Sequence, residues 1–278
     1  MIIVVTGANG QLGQAVQAVL HTHQIVAWDL AQVDVTSLDA VRKGIESVRP
    51  QLVINTAAYT DVDGAESHPT EAYRVNALGP RNLALVTGDA GIPLLHVSTD
   101  YVFDGTATRP YHEFDRPNPI SVYGASKLAG EEAIRALNPR HFIVRTAWLY
   151  HVHGQNFPNT IVNLANRQPL RIVSDQYGSP TYAPHLAEAI AKLIDTTAYG
   201  TFHLAGSGGG TSWFEFATSL FHALEMTVTI QPVSTCDFPR PAPRPRYAVL
   251  TSIQDPHIEL PPWKEGVQAF ARAVRARQ

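Results

Sequence analysis

Tyr123 and Lys127 stand four residues apart at the start of a helical pattern, so both side chains lie on one helix face and can reach a common site. A phenol with an ordinary pKa near ~10 can pass its proton to a reacting oxygen, and a lysine cation beside it would pull that pKa down. Spacing of this kind also arises from a half-buried packing tyrosine and a solvated lysine, so the pair needs corroboration. Ser98-Thr99-Asp100 supplies it, ending the apolar run Leu94–Val97 where the carboxyl ends of strands form the ligand rim of an open α/β sheet. From there the Thr99 hydroxyl can bond a substrate carbonyl oxygen. His151 and His153 are two apart with no third ligand nearby, so no metal is expected.

Thr6-Gly7-Ala8-Asn9-Gly10-Gln11-Leu12-Gly13 follows the first apolar run and opens a helical pattern, the context a dinucleotide fingerprint requires. Gly7 permits the tight turn, Gly10 lets backbone approach a pyrophosphate, and Gly13 allows helix to pack on strand. The helix N-terminus then presents its unpaired N–H groups to the phosphates. Asp29 ends the second run, where a carboxylate can accept from ribose hydroxyls, although a plain strand-end turn explains an Asp there as well. No Arg or Lys lies between Gly13 and Arg42, which favours NADH over NADPH unless a distant arginine folds back.

The elements that must position these groups are legible in outline. Ile2–Val5, Ile25–Trp28, Leu52–Ile54, Leu94–Val97 and Phe142–Val144 read as strands buried on both faces. Helical patterns at Gln11–Leu20, Leu38–Val48, Glu71–Ala90 and Ser121–Leu137 alternate with them, with Ser37 and Thr70 placed as N-caps. Such alternation predicts an α/β fold with a doubly wound parallel sheet of Rossmann type. After Tyr150 the regularity loosens, with a Pro-rich stretch at Pro232–Pro245 and helices expected at Pro184–Ile194, Ser212–Leu224 and Trp263–Arg275. We therefore expect a dinucleotide-binding domain over 1–150 and a smaller C-terminal substrate-binding lobe over 151–278, interleaved with the sheet. Gly206–Gly210 reads as a loop ahead of a helix capped by Thr211 or Ser212, since no lysine follows it as in a phosphate loop.

With 45% hydrophobic residues in 278 the chain can bury a substantial core, and a net charge of −3 offers no basic surface for nucleic acid. The single cysteine, Cys236, excludes an internal disulfide. Met1–Val5 is too short for a signal-peptide apolar region, and no stretch approaches the ~18 apolar residues of a membrane span, so a cytoplasmic protein with no membrane partner is expected.

The motifs resemble those of the extended short-chain dehydrogenases/reductases, and within them the dTDP-4-dehydrorhamnose reductase family, over nearly the whole chain. The markers are Thr6–Gly13, Asn55–Thr60 with Val62-Asp63 and Ala65-Glu66, Ser98–Gly105, Tyr123-Gly124 with Lys127–Glu131, Arg145–Tyr150, Asn156-Phe157 and Asp175–Thr181. The resemblance implies an NADH- or NADPH-dependent oxidoreductase reducing the 4-keto group of a nucleotide-linked deoxysugar. It implies Thr99, Tyr123 and Lys127 as the catalytic trio. Gly7, Gly10, Gln11, Leu12, Gly13, Asp29, Asp34, Val35, Ala57, Ala58, Tyr59 and Val97 are the residues expected at the cofactor, together with Tyr123 and Lys127. Thr99, Asp100, Tyr101, Trp148, Asn156 and Arg244 are those expected at the sugar nucleotide, Arg244 against the diphosphate. A related dehydratase carries an acidic residue where Tyr101 stands. An epimerase or another sugar-nucleotide reductase shares the trio, and a regulatory subunit that binds a dinucleotide without turnover shares the fold. The sequence also leaves a homodimer open. One departure stands out: Ala248 sits where the family's Arg-Pro-x-x-Ser-x-Leu segment carries a hydroxyl.

Overall fold

The computed structural model describes residues 1–166 and 169–277. Five short apolar runs form β1 (Ile2–Thr6), β2 (Gln24–Trp28), β3 (Leu52–Asn55), β4 (Leu94–Thr99) and β5 (His141–Thr146), and Gly200–His203 adds β6. They pair in parallel in the order β6-β5-β4-β3-β1-β2. Order reversal beside β1 makes the crevice at the carboxyl ends of β1 and β3–β5 the place for ligands.

Alternation along β1 explains why two helical layers are needed. Ile3 and Val5 join a core with α1 (Gln11–Val19) and α5 (Ala183–Ile194), whereas Val4 points to the opposite face against α2 (Leu38–Val48), α3 (Gly79–Asp89) and α4 (Val122–Leu137). A separate core of Tyr150, Phe216, Leu220 and Phe270 forms between α6 (Trp213–Ala223) and α7 (Trp263–Arg275). Residues beyond 150 thus contribute both to the sheet layer, through α5 and β6, and to a second apolar cluster.

Three expectations need correction. β2 is an edge strand, paired only with β1 among the described residues, and its Gln24 and Ala27 are exposed rather than buried on both faces. Glu71–Ala90 is not one helix: Pro69–Tyr73 leads into a π-helical turn, Arg74–Leu78, and only then into α3. Thr70 is not an N-cap, since the helix begins one residue earlier at Pro69, whose fixed φ suits the first helical position. Ser37 does cap α2 by accepting from the Ala40 N–H, Ser121 caps α4 by accepting from Gly124, and Ser212 forms a capping box with Glu215.

Candidate active site

Gly7 adopts φ +64°, and a Cβ there would lie 2.7 Å from the Ala57 nitrogen, so the turn between β1 and α1 is pressed against the loop after β3. At Gly13 an added Cβ would fall 2.4 Å from the Gly7 carbonyl oxygen, whereas at Gly10 it would meet only that oxygen, at 3.1 Å. Gly10 is the N-cap of α1 and supplies no side-chain cap, so Gln11 and Leu12 begin a helix whose first N–H groups face outward beside open space. This is the cradle a pyrophosphate requires. Gly10→Val should leave thermal stability within a few degrees of wild type while weakening dinucleotide binding at least about tenfold; equal affinity in fluorescence titration would remove the cradle from the site.

Asp29 closes the same loop. Its carboxylate accepts from the Asn9 and Leu30 N–H groups at 2.9 and 3.0 Å, so it is a turn residue whose remaining lone pairs stay available to a ribose. Asp34 accepts from the Thr36 hydroxyl and N–H, which with Arg74, 3.8 Å away, hold its carboxyl below the usual range. Arg74, 40 residues downstream of Asp34, is folded back beside it, a pairing the spacing could not reveal. Val35 is buried, its carbonyl accepting from the Asn82 amide. Ala57 N–H donates to Asn55, and Tyr59 exchanges two hydrogen bonds with Asn76 in the π-helical turn, leaving Ala58 between two pinned neighbours. Asn76, itself buried and bonded to Ser126 of α4, ties this wall to the catalytic helix. The helical pattern over Glu71–Ala90 does not single it out, and the rare π turn marks it.

The trio comes together where β4 ends. Thr99 donates to Asp100 Oδ1 at 3.0 Å, accepts from the Tyr101 N–H at 3.2 Å, and stands close enough to the Tyr123 phenol to act on it electrostatically. Burial pushes the Tyr123 phenol up to about 12, with Thr99 working the other way and Asp100 adding to the rise. The expectation of a phenol pulled down by Lys127 therefore fails for the ligand-free chain. Desolvation is the largest influence on the phenol, while the Lys127 Nζ donates to the Val97 carbonyl at 2.7 Å and its own pKa is pushed down to about 8 by burial. Val97 thus contributes its backbone oxygen to Lys127. Asp100 is only 2% exposed, burial raises its carboxyl to about 7, and its Oδ2 has no hydrogen-bond partner among the described residues.

Tyr101 packs edge-on against Tyr123 with ring centroids 5.4 Å apart, and its other side lines a cavity of about 780 Å³. Phe157, Ile161 and Trp213 form its apolar walls, and Arg240 and Arg244 its cationic side. Asp63 holds both arginines, Arg244 in a two-point pair at 3.0 Å to each oxygen. Partial burial works against the Asp63 charge, but the hydrogen bonds from Arg244, Arg240 and the Ala242 N–H hold the carboxyl far below the ordinary range. Two expected residues adjoin residues of the cavity wall. Trp148, at φ +45°, stacks flat on Trp213 at 3.4 Å and over Gly178, and does not belong to the cavity lining. Asn156 caps the helix Phe157–Asn163 and donates to Gln11, which ties it to the glycine loop. Ala248 is buried with its N–H on the Tyr177 carbonyl, outside the cavity wall.

A family model described as the RmlD substrate binding domain matches residues 1–276. The chain belongs to that family. It is similar to the dTDP-4-dehydrorhamnose reductase of Mycobacterium tuberculosis (strain ATCC 25618 / H37Rv), 42% identical with 99% of this chain and 92% of that protein covered. It is also similar to a dTDP-4-keto-6-deoxy-D-glucose reductase of Streptomyces niveus, 41% identical over 88% of this chain and 87% of that protein. Among solved structures, a dTDP-4-dehydrorhamnose reductase from Bacillus anthracis str. Ames in complex with NADP superposes with a TM-score of 0.95 and 40% identity, covering 98% of this chain and 99% of that one. The α/β fold with its central parallel sheet is that of this family.

Proposed function

We propose that this chain is an NADH- or NADPH-dependent oxidoreductase that reduces the 4-keto group of a dTDP-linked deoxysugar, with dTDP-4-dehydro-L-rhamnose as substrate and dTDP-L-rhamnose as product. The observation that carries the reading is the placement of Thr99 beside Tyr123, with Tyr101 packed on Tyr123 and lining the arginine-walled cavity, together with the glycine cradle at the end of β1. The cradle, Asp29 and the Ala57–Tyr59 wall fit a dinucleotide, which when bound supplies hydride. Tyr123, held protonated near neutral pH by its raised pKa, gives its proton to the carbonyl oxygen as that oxygen gains the C=O electron pair. Thr99 orients the same oxygen, and the Lys127 ammonium is the cation on the same helix face that offsets the phenolate. Asp100 Oδ2 supports a substrate hydroxyl as the donor it lacks. Arg244 and Arg240 support the diphosphate, a dianion that planar guanidinium groups bind by paired hydrogen bonds.

The test is loss of reduced-nicotinamide absorbance with NADH and with NADPH on freshly generated dTDP-4-dehydro-L-rhamnose, with dTDP-4-dehydro-6-deoxyglucose alone as control. Oxidation that requires the L-sugar supports the reading, and oxidation of the control sugar alone favours the activity named for the Streptomyces niveus relative. Choice between the cofactors belongs to the same proposal, Asp29 favouring NADH and Arg74, paired with Asp34, being an arginine that could meet a 2′-phosphate. So do a cytoplasmic location and a homodimer. Asp63→Ala should raise KM for the nucleotide sugar about tenfold with a smaller change in kcat, because Arg240 and Arg244 lose the carboxylate that preorganises them. A lower KM would instead show that the carboxylate competes with the diphosphate.

A further inference from the structure

Behind Lys127 runs a buried polar chain that the reaction does not use. The Asn55 side-chain oxygen accepts from the Thr6 hydroxyl at 2.6 Å and from the Ala57 N–H at 3.1 Å. A backbone N–H can only donate, so that atom is the oxygen, and the Asn55 amide nitrogen is left facing His96 Nδ1 at 2.9 Å. Nδ1 must then be the accepting nitrogen. Neutral imidazole consequently carries its proton on Nε2, which lies 3.3 Å from Lys127 Nζ. Imidazolium would place an N–H against the Asn55 amide, and the other tautomer would do the same. Lys127 also donates to Val97, and an ammonium has no lone pair with which to meet the His96 N–H.

We infer that His96 is a positioning residue whose Nε2–H, aimed at Lys127 Nζ, favours the uncharged amine over the ammonium and so brings the protonation midpoint of this lysine down toward neutral pH. Each polar atom in the chain then has a complementary partner, as a fully buried network demands. His96 is completely buried, and burial together with Lys127 keeps it far below the ordinary imidazole value. Burial pushes Lys127 down to about 8, the lysine also being almost fully enclosed. The charged and titratable groups facing Lys127 are few. Glu131, one turn along α4, favours the cation, but its carboxylate is already engaged by Arg145 of β5, Arg135 and Ser98 of β4. His96 comes from β4, and Tyr123 shares the helix.

The inference rests on the placement of Lys127 in the proposed active site, but its test is read without substrate, so a failed reductase assay and a failed titration are distinguishable. Long-range ¹⁵N correlation spectra of the ligand-free protein should show His96 as the Nε2–H tautomer. In protein carrying ¹³Cε-lysine, only Lys43, Lys127, Lys192 and Lys264 give signals, and the one lost in Lys127→Met should titrate near 8. Asn55→Asp replaces the donor facing Nδ1 by an acceptor, forces the opposite tautomer and turns Nε2 into an acceptor for the ammonium. His96→Gln offers an acceptor directly. Each variant should raise the Lys127 midpoint by about 1 pH unit. A wild-type Nδ1–H tautomer, an imidazolium, or a Lys127 midpoint near the ordinary ~10.4 would overturn the inference. The wild-type spectra decide it even if neither variant folds.

Discussion

Tyr123→Phe is expected to lower kcat by about 10²–10⁴-fold, the usual cost of losing a general acid, while leaving dinucleotide affinity unchanged. The phenol oxygen is the proton source beside Thr99, and burial raises its pKa to about 12, so the wild-type group is protonated through the whole neutral range. Phenylalanine keeps the ring that packs edge-on against Tyr101, so the loss should fall on the chemical step. Steady-state kinetics with the keto-sugar, paired with fluorescence titration of NADPH, separates the two. Near-normal turnover would sink the role assigned to Tyr123.

Arg145→Met should be the most destabilising change at a residue outside the reacting groups. Glu131 is completely enclosed and Arg145 only 1% exposed; two guanidinium nitrogens of Arg145 donate to the carboxylate at 3.0 and 2.7 Å. Methionine fills similar space but strands a buried carboxylate on Ser98 and the more exposed Arg135, which costs about 3–5 kcal/mol. Chemical denaturation measures it, and replacing Glu131 by Leu in the same chain should recover much of the loss. A loss below about 1 kcal/mol would show that Arg135 alone suffices. The pH dependence has a definite sign. Burial alone would raise the Glu131 pKa, but Arg145 and Arg135 lower it below the ordinary glutamate value. Its stabilisation is therefore present above the unfolded value of ~4.3 and is lost as pH falls through the lower folded one. Arg145→Met raises that folded pKa, so acid unfolding should begin at higher pH.

Much of the layout was legible in the chain itself, because it rests on local rules. The short apolar runs pointed to five of the six strands of the central sheet, the Ser37 cap and a Thr211 or Ser212 cap followed from hydroxyls ahead of apolar periodicity, and the glycine trio announced a cradle by position after β1. Tyr123 and Lys127 share a face for the same reason, a helix of fixed pitch. The break of Glu71–Ala90 into three helical pieces escaped that reading, since a π turn depends on Asn76 finding Tyr59 and Ser126, residues 17 and 50 positions away.

Proton positions and charge partners belonged to the tertiary structure alone. Lys127 and His96 are 31 residues apart and Asp63 and Arg244 are 181 apart, so no spacing could announce either pair. Nor could composition foretell that burial would raise the phenol and lower the lysine, because desolvation is a property of the assembled interior. The amino-acid sequence determined which groups stand on the rim of the sheet. Folding decided which of them are charged, through the low-dielectric packing that places each acid, base and hydrogen-bond donor against its partner.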